Sequence, residues 1–283
     1  MGRGIAALCV SKGIETSIFD ALPAAAAAAP GEIGAFFEKS RARGKMSEGE
    51  VSAALARLTI AANLPHAVSA ADLVIEAAPE SLEIKRSIFG ELDRAAGDAI
   101  LATNTSSLSI AKIAEATSRP ERVIGLHFFN PAPLMPLVEI VVSPRTSPGG
   151  LAAARAFVET LGKEAIVVRD SPGFATSRLG VALGLEAMRM VEEGVASAAD
   201  IDRAMEAGYG HAMGPLKTSD LVGLDVRLAI ADALAAELSE ERFRSPAILR
   251  TLVAEGKTGK KAGEGFYRWN GSRAENAPDR NSR

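Results

Sequence analysis

Between Ile14 and about Val168, short apolar runs alternate with stretches of helical character, and this alternation constrains the fold more than any other feature of the sequence. The runs are TSIF (16–19), LVIEA (73–77), AILAT (99–103), VIGLHFF (123–129), LVEIVV (137–142) and AIVV (165–168). They are nearly unbroken rather than alternately apolar and polar, so both faces of each strand must be covered. Strands of that kind separated by helices form a parallel sheet packed between helical layers. After Asp170 the β-rich runs stop, and helices are predicted over Arg178–Glu193, Ala198–Ala207 and Val222–Leu238. Proline and glycine in Ser171-Pro172-Gly173 break the preceding strand and place a domain boundary there. The expectation is an α/β domain with a doubly wound sheet over residues 1–171 and an all-helical domain over 172–283.

Composition removes several classes of function. The 283 residues suffice for two ordinary domains, and 47% hydrophobic content supplies their cores. A net charge of −3 gives no general attraction to nucleic acid or to an anionic membrane. No apolar run reaches the ~18 residues of a membrane span, and no secretory signal is recognisable. A single cysteine, Cys9, suits a reducing cytoplasm and reads as a small core side chain. The three histidines and one cysteine have no metal-ligand spacing, so no metal site is expected. The alanine run 24–29 is expected to open a helix.

The chain opens Met1-Gly2-Arg3-Gly4-Ile5-Ala6 and runs into an apolar helix ending near Lys12-Gly13, followed by the strand TSIF and then Asp20. Helix, strand and terminal acid are the second half of a dinucleotide-binding unit of Rossmann type. In that unit glycines let the backbone approach a pyrophosphate at the helix N-terminus, and the acid binds the adenosine ribose. Gly2 fits the last of the three glycines and Asp20 fits the acid. Alone, this is weak evidence, since a glycine-rich start before a helix has many bland causes.

The middle of the chain is more specific. IEAAPESLEIK (75–85), TNTSSLSI (103–110), GLHFFNPAPLMPLVEIV (125–141), DSPGF (170–174), GPLKTSDLVGLD (214–225) and GKKAGEGFY (259–267) follow one another. In their order and spacing, together with MGRGIA (1–6), the chain resembles the 3-hydroxyacyl-CoA dehydrogenase family along essentially its whole length. In that family MGRGIA is preceded by a strand and a G-x-G. Met1 is therefore expected to be an internal methionine of the phosphate loop, with the first strand of the sheet missing, through a gene start placed too late or a shortened chain. Restoring that strand is expected to strengthen NAD binding. The resemblance implies NAD as cofactor, with Gly2, Gly4 and Asp20 among its contacts, and an acyl-CoA substrate, short-chain as in 3-hydroxybutyryl-CoA.

Oxidising a secondary alcohol requires a positioned base near neutral pH, and histidine is the natural choice. His127 ends an apolar strand, where sheets of this class place their ligands. Glu139 lies in the next apolar run, and a carboxylate on the far ring nitrogen would fix the tautomer. Only a chain reversal through Asn130–Pro136, which holds prolines 131, 133 and 136, could join them. By themselves these residues favour a hydrogen-bonded core histidine and an edge-strand glutamate. The resemblance selects the dyad, with His127 as base and Glu139 as its orienter. His66 and His211 read as loop residues.

The resemblance also assigns Ser106 to the substrate's C3 oxygen, with Ser107 the better candidate for the N-cap of the helix that follows. It places Asn104 and Asn130 near the nicotinamide, Glu80 and Lys85 along its ribose, and Lys261 among the cofactor contacts. An exposed helix face is the competing reading of Lys85. Ser177 stands where the family has an asparagine that helps polarise the substrate; serine is shorter and puts full activity in doubt. Arg41, Arg43 and Lys45 form a basic cluster where the family contacts CoA, equally readable as a solvated charge run. The helical domain is expected to form a homodimer, although the apolar content of Val181–Val191 and Val222–Leu238 also fits an internal core. Two alternatives stand beside the dehydrogenase: a hydroxy-acid dehydrogenase of the lambda-crystallin type and a non-catalytic homologue.

Overall fold

The computed structural model describes residues 1–276 and divides into two compact units, Met1–Ser171 and one beginning at Pro172. In the first unit, α1 (Gly2–Ser11) leads to β1 (Thr16–Ile18), α2 (Pro23–Ala42), α3 (Glu48–Ala56), β2 (Leu58–Ile60), α4 (Leu64–Val68) and β3 (Leu73–Glu76). Then come α5 (Leu82–Ala95), β4 (Ile100–Thr103), α6 (Ile110–Ala114), β5 (Val123–Phe128), β6 (Leu137–Val142), α7 (Pro148–Thr160) and β7 (Glu164–Arg169). The apolar runs are all strands, and the alanine run lies in α2. Ser47 and Glu50 close a capping box at the start of α3.

The strands of this first unit form two sheets. β1 pairs in parallel with β2, a strand that the sequence reading missed, and the other sheet has the order β3-β4-β5-β6-β7. That larger sheet is mixed rather than purely parallel, because β6 runs antiparallel to β5. The reason is the connection: residues 129–136 are too few for a crossover helix, so the chain doubles back. Gly125 lets the two strands and α6 approach closely, since a Cβ there would lie 2.7 Å from the Cβ of Val141 and 2.9 Å from Cδ1 of Ile110. Ile5, Leu8 and Cys9 of α1 pack with Ile124, Leu126, Val138 and Ile140 of the sheet and with Val158 of α7. Burial pushes the Cys9 thiol up to about 12, which suits an unreactive core side chain.

The second unit contains α8 (Thr176–Glu192), α9 (Ala198–Tyr209), α10 (Pro215–Val222), α11 (Leu224–Leu238) and α12 (Ala247–Ala254). It is helical, as the sequence reading expects, but not wholly so: among the described residues it also holds an antiparallel hairpin of β8 (Tyr267–Asn270) and β9 (Arg273–Asn276). The two-residue loop between them is Gly271-Ser272, with Gly271 at φ +60°, a backbone conformation that two-residue hairpin turns require and glycine adopts freely. Val181, Leu185, Met188, Ala231 and Leu234 lie in this unit's own core.

Two buried aspartates tie the unit together. Asp202 accepts hydrogen bonds from the backbone of Leu216 (2.8 Å) and Lys217 (2.9 Å) and from the Tyr267 hydroxyl (2.7 Å). Asp220 accepts from the backbone of Phe266 (3.0 Å) and Tyr267 (2.9 Å) and from Trp269 Nε1 (2.9 Å). A Cβ at Gly265 would lie 2.2 Å from an Asp220 carboxylate oxygen, so only glycine admits that approach. Burial raises the Asp220 carboxyl above the usual range and outweighs its donors, while the Asp202 charge adds to the rise.

Candidate active site

The apolar character of β5 and β6 buries two polar residues between them. His127 and Glu139 are direct partners in the antiparallel ladder, which places their side chains on the same face of the sheet. His127 Nδ1 lies 2.6 Å from Glu139 Oε2. Glu139 is fully buried and His127 is 7% exposed. The chain reversal expected through Asn130–Pro136 is what aligns them, and it contains a cis peptide at Asn130-Pro131. The Phe129 ring lies 4.6 Å from the imidazole, centroid to centroid. A buried carboxylate on Nδ1 fixes the ring's orientation and leaves proton handling to Nε2.

The turn after β4 is anchored beside this pair. Asn104 Oδ1 accepts from the backbone N–H of Phe128, at 2.9 Å, joining the carboxyl ends of β4 and β5. Thr105, Ser106 and Ser107 gather on Glu80: Oε1 accepts from Thr105 Oγ1 (2.6 Å), from Ser106 N (2.8 Å) and Oγ (3.1 Å), and from Ser107 N (3.2 Å) and Oγ (3.3 Å). Partial burial works against ionisation of Glu80. The Thr105 hydroxyl, the Ser106 amide and hydroxyl and the Lys85 charge prevail and hold its carboxyl below the usual range. Ser107 is not the cap of the following helix; Ser109 is, accepting from the backbone of Lys112 at 3.3 Å. The sequence placed the cap two residues early because the Glu80-bound turn delays the start of α6.

Lys85 is not on an exposed helix face. It is 1% exposed, and its Nζ donates to Glu76 Oε1 (2.8 Å) and Oε2 (3.0 Å) and to the carbonyl of Ala78 (3.2 Å). Glu76 went unremarked in the sequence, although a glutamate ending the apolar strand LVIE requires a buried partner.

The chain just past the carboxyl end of β3 borders the start of α1. Gly2 begins that helix, and a Cβ on it would sit 3.6 Å from Ala77, just past β3. Gly4 packs in the same way against Ala132 and Pro133. Asp20 is exposed two residues beyond β1, with Oδ1 accepting from the backbone of Leu22 at 2.9 Å. A helix N-terminus packed closely on the end of β3, with an exposed acid past β1, fits the pyrophosphate and ribose of a dinucleotide. A cleft of about 250 Å³ lies alongside, lined by Met1, Gly4, Ala7, Ile33, Phe36 and Asn130, among others. Asn130 is exposed there.

The remaining predicted residues lie elsewhere. Arg41 ends α2 and pairs with Glu38 at 2.7 Å; Arg43 and Lys45 are exposed in the following turn. His66 stands in the short α4 rather than in a loop, and His211 follows the C-cap of α9; both are exposed. Within the second unit, Ser177 is in the first turn of α8, and Lys261 pairs with Asp225 at 2.6 Å.

Comparison with known proteins identifies the family. Residues 1–171 match the model of the 3-hydroxyacyl-CoA dehydrogenase NAD binding domain, and residues 173–269 that of the family's C-terminal domain. The chain is 43% identical over 270 residues to the 3-hydroxybutyryl-CoA dehydrogenase of Mycobacterium tuberculosis, covering 94% of both chains. It is 40% identical to a probable 3-hydroxybutyryl-CoA dehydrogenase of Bacillus subtilis, covering 94% of this chain and 93% of the relative. The crystal structure of the (S)-3-hydroxybutyryl-CoA dehydrogenase of Ralstonia eutropha superposes with a TM-score of 0.92 at 37% identity, covering 96% of each chain. Matched domain by domain and along almost its whole length, the chain belongs to the NAD-dependent 3-hydroxyacyl-CoA dehydrogenase family.

Proposed function

We propose that this chain interconverts short-chain (S)-3-hydroxyacyl-CoA and 3-oxoacyl-CoA, with 3-hydroxybutyryl-CoA the representative substrate, and that His127 is the base. The observation that carries this reading is the buried 2.6 Å contact between His127 Nδ1 and Glu139. NAD, when bound, accepts the hydride that leaves C3. His127 Nε2 takes the hydroxyl proton as the C3–O bond becomes a carbonyl, and Glu139 stabilises the imidazolium that forms. The Ser106 hydroxyl donates to the C3 oxygen. The first turn of α1, at Gly2 and Gly4, would hold the pyrophosphate of the bound cofactor, and Asp20 would accept from its adenosine ribose. Asn104 and Asn130 would border its nicotinamide end.

The names of the relatives support the short chain length. Arg41, Arg43 and Lys45 supply exposed cations for the CoA phosphates. Homodimerisation through the second unit is supported by exposed apolar residues: Leu179 and Leu183 one turn apart on α8, and Leu221, Val222 and Val226 around the start of α11. No helix among the described residues is long and apolar enough to cross a membrane. A cytoplasmic location is supported by the single, buried cysteine.

Absorbance of NADH at 340 nm tests the reading. Four-carbon 3-oxoacyl-CoA should be reduced with a higher kcat/KM than the ten-carbon homologue or a free hydroxy acid in the reverse direction. Preference for the free acid would move the chain to the lambda-crystallin type, and turnover of none would leave a non-catalytic homologue.

A further inference from the structure

Arg227 of α11 is buried in the second unit, 5% exposed, and among the described residues no acceptor engages its guanidinium. Its Nε is sealed from solvent without a hydrogen bond, and burial alone pushes the group down to about 10 from the ordinary arginine value. A cation taken out of water is costly unless a partner meets it. α8 nevertheless makes room for this one. A Cβ at Gly180 would lie 3.6 Å from Arg227 Nη1, and one at Gly184 would lie 3.7 Å from Nε and 3.0 Å from Ser219 Oγ. Glycine inside a helix is destabilising relative to alanine. Two of them one turn apart keep a space for the guanidinium that any side chain longer than alanine would take.

The surface beside this space is apolar. Leu179 and Leu183 stand next to the two glycines along α8, and Val226 precedes Arg227; all three are exposed, as are Leu221 and Val222. Exposed leucine and valine around a desolvated arginine is the make-up of an interface centre, where arginine anchors and other charges are scarce. The missing partner is an anion, and a carboxylate matches the planar guanidinium best. One stands on the same stripe. Glu186 lies one turn beyond Leu183, is the only acid of α8 before Glu192, and has a side chain 65% exposed. Its contact with Arg189, at 3.1 Å, is a surface pair worth little in water, so it is free to change partner.

A two-fold axis repeats every contact, so the same patch must complement itself. With two α8 helices antiparallel across an axis at Leu183, the residue three places after the axis faces the residue three places before it. Glu186 then faces Gly180, the opening over Arg227 Nη1.

We propose that two copies of this chain pack their α8 helices antiparallel about Leu183, so that Glu186 of each pairs with Arg227 of the other through the gap at Gly180. This rests on the reading of the chain as a homodimer formed through its second unit. Arg227 is then the anchor of the interface, and its charge is unpaired only while the chain is alone.

Sedimentation equilibrium of the full chain and its variants tests the pairing, with a melting scan to confirm that each is folded. Removing one member of a desolvated ion pair should raise the dimer Kd about 30-fold or more, whether by Arg227→Met or by Glu186→Gln. In the Glu186→Gln background, Arg227→Met should change the Kd by less than about threefold. Leu183→Cys, treated with oxidised glutathione, should give a disulfide-linked dimer, because a residue on the axis meets its own copy; the other cysteine, Cys9, is buried. A parent chain that stays monomeric refutes the homodimer and the proposal with it. A dimeric parent whose Kd neither variant moves overturns the pairing alone. An Arg227→Met loss that persists undiminished in the Glu186→Gln background overturns it too, since the guanidinium would then have another partner. Should Arg227→Met fail to fold, Glu186→Gln and the crosslink decide: a parental Kd in the first, or a dimeric Leu183→Cys protein that does not crosslink, overturns the proposal.

Discussion

Replacing Glu139 by glutamine isolates what the buried carboxylate does for His127. Glutamine keeps the shape of the side chain and an acceptor oxygen, and it removes the charge. Glu139 is fully buried and its oxygen lies 2.6 Å from Nδ1. Two unit charges with centres about 4 Å apart interact by ~4 kcal/mol at an effective dielectric constant of about 20. That attraction exists only once the ring has taken the proton, so its loss falls on the transition state rather than on binding. Some 4 kcal/mol is about a thousandfold in rate. Glutamine can also present its amide N–H₂ to Nδ1 and favour the unproductive tautomer, which pushes the loss further. The expected result for Glu139→Gln is a kcat about 10³-fold lower, a Kd for NAD within threefold of the parent, and a melting temperature within a few degrees. Steady-state assay, calorimetry and a thermal scan on the same preparation check all three. A kcat within threefold of the parent in a folded protein would refute the reasoning, because the carboxylate would then be structural.

Asp20→Ala should raise kcat/KM with NADP several-fold relative to NAD, since like charges about 4 Å apart in water repel by ~1 kcal/mol; an unchanged NADP/NAD ratio in steady-state kinetics contradicts the assignment. Asp220→Ala strands three buried donors at about 1–3 kcal/mol each, so the melting temperature should fall, and emission from Trp269, the single tryptophan, should shift to longer wavelength. The Asp93 carboxyl is held down to about 2: partial burial opposes ionisation, and hydrogen bonds from Ser118 together with the Arg122 guanidinium outweigh it. A carboxyl lowered on folding stabilises above its unfolded value near pH 4 and loses that contribution as the pH falls toward 2. Urea titrations of Asp93→Asn should therefore show about 1 kcal/mol less stability than the parent at pH 7, after allowance for solvent screening, and converge with it near pH 2.

The apolar strands were readable because burial on both faces leaves an unbroken run, and the chain reversal at Asn130–Pro136 because its prolines leave few other paths. β2 escaped because three residues, Leu58–Ile60, give too short a pattern to separate from the end of α3. The hairpin β8–β9 carried a usable signal in Gly271-Ser272, masked by the polar residues around it. His127 and Glu139 each stood out as polar residues in apolar strands, where a polar side chain needs a partner, but the family resemblance is what joined them as a pair. Glu76 sends the same signal at the end of β3, but its partner Lys85 lies in the next helix, and a lysine there reads as solvated until the fold buries it. The position of Ser109 as cap, rather than Ser107, depends on Glu80 holding the intervening turn, a tertiary contact that no local pattern reports.

The account depends most on His127 as the group that takes the hydroxyl proton. Its most direct test is single-turnover oxidation of 3-hydroxybutyryl-CoA by His127→Ala at saturating NAD, followed at 340 nm, with NAD affinity measured on the same protein. General-base catalysis contributes about 10²- to 10⁴-fold, so the account predicts a loss of that size with NAD affinity unchanged. A folded His127→Ala enzyme that forms NADH at the parental rate would contradict it.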